Sequence, residues 1–115
     1  MANKFGIPKE IEADVRRKFK HCAYCHRRMK AYPRLKGCPK DKATIEHLNR
    51  NGPFYWEEGL RVADLVICCG SCNASRGAKT LTQWFRSKYC IERGINSRTV
   101  AGAVKRYLRR HTHRH

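Results

Sequence analysis

The sequence predicts a small α+β domain that a bound metal reinforces. At 115 residues the chain fits one domain, 1–115, and a domain of this size buries only a small core. Short apolar runs at the centre are typical of strands, and the segments on both sides have helical periodicity. Seven cysteines are many for this length, and four of them form two Cys-x-x-Cys pairs, Cys22/Cys25 and Cys69/Cys72.

The first third of the chain predicts one helix, one cysteine turn and one loop. Residues 9–20 follow Pro8, with acids in the first turn and bases in the last, which suits the helix dipole. The apolar residues of this segment share one stripe. Residues 21–30 contain the first Cys-x-x-Cys turn. Residues 31–42 carry two prolines and a glycine, which favours a loop.

The centre predicts strand, loop, strand and helix. Residues 43–48 form the first strand, which carries Glu46 and His47, and residues 64–68 form the second. The second Cys-x-x-Cys turn then leads into a helix beginning around Asn73. The loop at 49–59 holds three consecutive aromatic residues at 54–56. They form either the core of the loop or a surface for stacking on a nucleic-acid base.

Two further helices are expected at 80–93 and 96–110, followed by a basic tail at 111–115. Gly94 suits the C′ position of the first, and Asn96 or Ser97 suits the cap of the second. Two interpretations of the pair stay open. The basic second helix enters a nucleic-acid groove in a helix-turn-helix manner, or both helices pack on the rest of the domain with a basic outer face.

The charge of the chain indicates a polyanionic partner. There are 26 Lys and Arg residues against 9 Asp and Glu, a formal net charge of +17. No apolar run reaches the roughly 18 residues of a membrane span, so no membrane partner is expected. No apolar leader precedes the cysteines, which favours a reducing cytoplasm and metal binding over disulfides.

The two Cys-x-x-Cys pairs predict a structural zinc site. Each turn presents two thiolates on one side of a tight loop, and four thiolates complete a tetrahedral shell with no open position. Zinc would then tie the N-terminal helix to the helix after the second pair. His21, His26 or Cys68 are alternatives for one of the four ligands.

Three residues between and beside these pairs have the chemistry that phosphodiester hydrolysis needs. His47 is a candidate general base, because the pKa of free histidine lies near neutrality. Glu46 offers a carboxylate and Asn73 an amide oxygen to a hard divalent cation such as Mg²⁺. Asn73 alternatively caps the helix. Neighbours on a strand point to opposite faces, so Glu46 and His47 require local twist or a bulge to converge.

The segments CAYCHRRM, DKATIEHLNRNG and VICCGSCNASRG together resemble the HNH endonucleases, which have the ββα-metal fold. The resemblance covers about residues 22–79. It implies that His47 activates water, that Glu46 and Asn73 hold a catalytic Mg²⁺ or Mn²⁺, and that the four cysteines hold zinc. Asp64 stands where the family usually has Asn, so it is expected to orient His47, with a plain turn acid as the alternative. Arg76 is expected near the scissile phosphate.

The resemblance implies a metal-dependent endonuclease that hydrolyses phosphodiester bonds of double-stranded DNA. It implies a bacterial or phage-encoded cytoplasmic protein, monomeric or weakly dimeric, whose specificity could come from a protein partner. Basic residues expected to contact nucleic acid are Arg27, Arg28, Arg50, Arg76, Lys79, Lys105, Arg109 and Arg110. The alternative is a zinc-stapled DNA- or RNA-binding protein without catalysis.

Overall fold

The computed structural model describes residues 5–30, 39–49 and 53–112, with side chains to residue 110. In these ranges the protein is a small α+β domain with one two-stranded antiparallel sheet and five α-helices. The elements in chain order are α1 (Lys9–Lys18), β1 (Ala43–His47), β2 (Leu65–Cys69), α2 (Gly70–Arg76), α3 (Leu81–Phe85), α4 (Lys88–Arg93) and α5 (Gly102–Thr112). Short 3₁₀ turns at Trp56–Glu58 and Val62–Asp64 precede β2.

The β1–β2 hairpin forms the centre of the domain. Its register runs without a break from Ala43 opposite Cys69 to His47 opposite Leu65. All five residues of β2 are buried, as expected for the apolar run LVICC. Because side chains alternate along a strand, Glu46 and His47 project from opposite faces of the hairpin. No bulge interrupts the paired residues to bring them together.

The core lies on both sides of this hairpin. Val15 of α1 is buried and α1 packs against β2. Trp84 of α3 is fully buried, and its ring meets the ring of Tyr24 edge-to-face with centroids 4.8 Å apart. Val100 and Val104 complete the core from the C-terminal segment. Leu48 and Leu60 are also buried, so the described part of the insert between the two cysteine pairs contributes to the core.

The helix expected at 80–93 is two helices, because Ser87 starts a new one. Its hydroxyl oxygen accepts from the backbone N of Cys90 at 3.3 Å, as an N-cap does. Thr80 caps α3 in the same way and forms a capping box with Gln83. A mid-helix Ser can offer the backbone this alternative bond, which apolar periodicity alone does not reveal.

The last helix begins at Gly102, later than the expected residue 96. The preceding residues form a turn, in which Thr99 Oγ1 accepts from Asn96 N at 2.9 Å and donates to Gly94 O at 2.8 Å. The backbone N of Ala101 donates to Ala23 O at 2.8 Å and fixes this turn to the first cysteine turn. Gly94 has φ 67°, which agrees with its expected C′ position.

Within the described residues, no helix is both long and apolar enough to cross a membrane. The expected nucleic-acid contact Arg50 and the loop at 31–38, with Cys38, lie outside those residues, as does the end of the tail at 113–115.

Candidate metal and catalytic site

Four cysteine thiols from three segments converge beside the hairpin. Cys22 and Cys25 come from the turn after α1, Cys69 ends β2, and Cys72 lies in the first turn of α2. Their Sγ atoms all lie within 4.8 Å of one another, and Cys25 Sγ is 3.7 Å from Cys69 Sγ. Zinc–sulfur bonds of about 2.3 Å place tetrahedral thiolates about 3.8 Å apart. The cluster therefore fits a structural metal such as zinc, as the spacing predicted.

Backbone amides support the thiolate form of this cluster. Tyr24 N and Cys25 N donate to Cys22 Sγ at 3.4 and 3.5 Å, and Cys72 N donates to Cys69 Sγ at 3.4 Å. The last bond also makes Cys69 the N-cap of α2. Helix α2 therefore begins at Gly70, and Asn73 is not its cap.

The thiol pKa values show why four adjacent cysteines need a cation. Contact with Cys22 lowers the pKa of Cys25, and it lowers the pKa of Cys69 to about 7. Contact with Cys25 raises the pKa of Cys22, and contact with Cys22 raises the pKa of Cys72. Hydrogen bonds among the four thiols therefore favour ionisation of Cys25 and Cys69 and oppose that of Cys22 and Cys72. A divalent cation removes this conflict and allows all four to ionise.

Helix α4 provides outer contacts to the cluster through Tyr89. The Tyr89 hydroxyl lies 3.3 Å from Cys72 Sγ and 2.9 Å from Ser71 Oγ. The guanidinium of Arg93 lies 3.8 Å from the centroid of the Tyr89 ring. Burial raises the pKa of Tyr89, so the hydroxyl keeps its proton. Hydroxyls that donate to metal-bound thiolates orient the ligands in this way.

Glu46 lies in a buried network with an arginine and a tyrosine. Its Oε2 accepts from Arg76 Nη1 at 3.1 Å and from the hydroxyl of Tyr24. Glu46 is 5% exposed and Arg76 is 0% exposed. Burial raises the pKa of Tyr24, and the neighbouring charge of Glu46 raises it further, so this hydroxyl remains a donor.

Arg76 is a central hydrogen-bond donor of the interior. Besides Glu46 it donates to Tyr24 Oη at 3.2 Å, Leu48 O at 2.9 Å and Lys79 O at 3.0 Å. Burial by itself would lower the pKa of Arg76, but its interactions with Tyr24 and Glu46 outweigh burial and raise it. The expected contact between Arg76 and the scissile phosphate has no support here, because Arg76 is fully buried and its guanidinium donates four hydrogen bonds inside the protein.

His47 has a different environment on the opposite face of the hairpin. Its Nδ1 donates to the carbonyl oxygen of Asn49 at 2.7 Å. A carbonyl oxygen only accepts, so Nδ1 carries the proton and the lone pair of the neutral ring is on Nε2. Phe5 meets the imidazole edge-to-face at 5.0 Å between centroids, and Phe54 lies at 5.2 Å. His47 is therefore held in one tautomer and one orientation.

Asn49 is a site residue that the sequence did not single out. Its Nδ2 donates to Pro53 O at 2.8 Å, while none of the residues that the structure describes donates to its Oδ1. Asn49 is 7% exposed, so this oxygen is a buried acceptor beside His47. Its position two residues after His47 was the only available signal.

The structure does not place Asp64 to orient His47, or Asn73 to share a metal with Glu46. The Asp64 carboxylate accepts from Arg61 N at 3.2 Å and lies 3.8 Å from Arg61 Nε. The Asp64 carboxylate thereby closes the 3₁₀ turn before β2. His47 Nδ1 is oriented instead by the backbone carbonyl of Asn49. Asn73 is exposed on α2, and its carbonyl accepts from Gly77 N at 3.2 Å.

The expected pairing of Glu46 with Asn73 around Mg²⁺ or Mn²⁺ does not fit this structure. A guanidinium already neutralises the Glu46 carboxylate, and Asn73 faces solvent. Among the described residues, one group of three or more His, Cys, Asp or Glu side chains is close enough to share a metal. That group is the four cysteines.

The remaining basic residues of the expected nucleic-acid surface are accessible. Arg27, Arg28, Lys79, Arg109 and Arg110 are exposed, and Lys105 is half-buried. Phe54, beside His47, is 37% exposed and Tyr55 is 50% exposed, whereas Trp56 packs against the core. Trp56 thus fits the interpretation as core, and the exposed Phe54 and Tyr55 fit the interpretation as a stacking surface.

Comparisons with protein-family models, with curated proteins and with solved structures found no match to this chain.

Proposed function

We propose that this protein is an HNH-type endonuclease that hydrolyses phosphodiester bonds of DNA, with His47 as the general base. The observation that carries the proposal is the fixed His47 imidazole, whose Nδ1 proton is held by Asn49 O at 2.7 Å. This bond places the basic lone pair on Nε2 and stabilises the imidazolium that forms when a proton is taken up. The charge of +17 supports a polyanionic substrate.

The proposed chemistry uses His47 in a single displacement. Nε2 of His47 takes a proton from water, and the resulting hydroxide oxygen forms a bond to phosphorus. The bond from phosphorus to the leaving sugar oxygen breaks, and that oxygen takes a proton from solvent. The products are a phosphate monoester and a free hydroxyl. Basic side chains near the phosphate would offset its negative charge.

The two metals implied by the HNH resemblance have different support. The four cysteines suit a structural zinc, which would hold the first cysteine turn against β2 and α2. The catalytic Mg²⁺ or Mn²⁺ remains a prediction. Because Arg76 occupies Glu46 Oε2, a cation could bind Glu46 there only if this ion pair separated. We therefore assign no step to that cation.

A plasmid-nicking assay with Mg²⁺ or Mn²⁺ tests the proposal. We expect His47→Ala to lower the cleavage rate by about 10²-fold or more, as loss of a general base does. The matched control is His111→Ala, which removes another histidine, near the end of α5. Cleavage at the wild-type rate by purified His47→Ala would refute the assignment of the base.

The alternative is a zinc-stapled nucleic-acid-binding protein without catalysis. The buried Glu46–Arg76–Tyr24 network favours it, because this network takes the carboxylate that the catalytic cation would need. Wild-type protein that binds DNA or RNA but cleaves neither, with either metal, would select this alternative.

A further inference from the structure

A groove with a basic rim lies between α1, the Val62–Asp64 turn and α5. Its first part is a cavity of about 460 Å³. Lys18, Arg106 and Arg110 line it, together with apolar residues of α1 and β2. Arg110 Nη2 donates to Ala63 O at 3.2 Å and so links α5 to the turn before β2.

The groove continues along the C-terminal end of α1. A second cavity of about 410 Å³ shares Lys18, Phe19 and Ala101 with the first. It adds two basic residues, Arg17 and Lys20, and two histidines, His21 and His26. None of the described Asp and Glu residues lines either cavity. We call the two adjoining cavities the basic groove.

The basic groove reaches the face of the hairpin that carries His47. Leu65 lines the first cavity and is the register partner of His47. Residues directly opposite in an antiparallel pair project to the same face, with Cβ atoms about 4.5–5.5 Å apart. Glu46 and Arg76 belong to the other face. The charged groove and the candidate base are therefore neighbours.

We propose that the basic groove binds the sugar–phosphate backbone of nucleic acid and directs it toward His47. This inference rests on the proposed function and names the surface by which that site takes its substrate. The cationic rim suits phosphates, and the apolar floor of Val15, Phe19 and Leu65 suits the sugars. Of the seven expected basic contacts that the structure describes, only Arg110 lines the groove.

Two exposed basic residues outside the groove, Lys9 and Arg86, provide a matched control. Lys18→Gln/Arg106→Gln removes one Lys and one Arg charge from the groove, and Lys9→Gln/Arg86→Gln removes one of each from the surface elsewhere. Both variants are made in the His47→Ala background, so that binding is measured without cleavage.

The experiment is titration of zinc-loaded protein with a short, fluorescently labelled DNA duplex between about 50 and 200 mM salt. Each lost phosphate contact lowers the slope of log affinity against log salt by about one. We expect the groove variant to lose about two units of slope and the control variant to keep the parent slope. Zinc content and circular dichroism confirm that both variants are folded.

Equal slopes of log affinity against log salt for both variants would refute DNA binding in the groove. Overall charge would then be the cause of binding. Poly-glutamate that displaces the duplex as well as unlabelled DNA does would assign the groove to an acidic protein and also overturn the proposal. The proposed function fails separately: wild-type protein would then cleave no plasmid, whatever the slopes. Cleavage together with unchanged slopes refutes the groove alone.

Discussion

The two faces of the β1–β2 hairpin differ in what they do with their polar residues. On one face Glu46 is buried with Arg76 and Tyr24, beside α2. On the other face the Nδ1 of His47 donates to Asn49 O, and its ring contacts the rings of Phe5 and Phe54. Adjacent residues in the sequence thus belong to different environments.

A Glu-His dipeptide on a strand therefore need not form one site. A buried ion pair with four donated bonds from one guanidinium suits a structural role, because the charges offset each other and are hydrogen-bonded. An oriented imidazole near accessible cations suits chemistry. We call the face of Glu46 the structural face and the face of His47 the chemical face, and substitutions on each should have different effects.

Removal of the metal from the cysteine cluster should have the largest effect. Structural zinc contributes on the order of 10 kcal/mol, comparable to the whole stability of a small domain. We expect Cys69→Ser, or chelation of the wild type, to abolish cooperative unfolding followed by circular dichroism. Metal loss should also grow as pH falls, because the ligands must be thiolates.

Cys90→Ala is the control for the metal, since Cys90 is buried outside the cluster. It should retain one equivalent of zinc by elemental analysis. A chelated wild type that still melts cooperatively would show that the cluster does not staple the fold.

Breaking the ion pair on the structural face should come next. Arg76→Met leaves Glu46 buried without its cation, which costs about 3–5 kcal/mol of unfolding free energy. Lys88→Met, which removes a cation from the exposed pair with Glu92 at 3.8 Å, should cost less than about 1 kcal/mol. Denaturant titration at fixed zinc compares the two.

The double variant Glu46→Leu/Arg76→Met sharpens this result. Because apolar replacement of a buried pair removes the unmatched charge, we expect most of the lost stability to return. A double variant no more stable than Arg76→Met would mean that the remaining partners, Tyr24 and Leu48 O, dominate the cost.

Substitution on the chemical face should leave the fold largely intact. We expect His47→Ala to cost about 1 kcal/mol of unfolding free energy, since it loses ring contacts and one hydrogen bond. If the proposed function holds, the same variant should also lower the plasmid cleavage rate. If its stability falls as far as that of Arg76→Met, the division between the two faces is wrong.

The smallest expected effect is that of Tyr89→Phe. It removes the hydroxyl near Cys72 Sγ and Ser71 Oγ while keeping the ring beneath Arg93. We expect a loss of about 0.5–1.5 kcal/mol and faster zinc release to a chromogenic chelator. An unchanged release rate would remove Tyr89 from the metal site.

The sequence by itself determined the α+β class, the two strands, the first helix and the four-cysteine cluster. These features depend on local spacing: alternation of side chains, helical periodicity and Cys-x-x-Cys turns act within a few residues. The sequence also has the net charge of +17 that favours a polyanionic partner. The nuclease activity remains a proposal. The helix breaks at Ser87 and before Gly102 depended on side-chain caps that compete with periodicity.

Only the tertiary structure decided which partners the polar residues have. Arg76 and Tyr24 are 30 and 22 residues from Glu46, and their bonds form only when α2 and the first cysteine turn pack on the hairpin. The uninterrupted register places His47 away from Glu46, beside Leu65 and the basic groove. A dipeptide pattern lists the residue types, but the pleat of the strand and the packing of distant helices assign each side chain its partner.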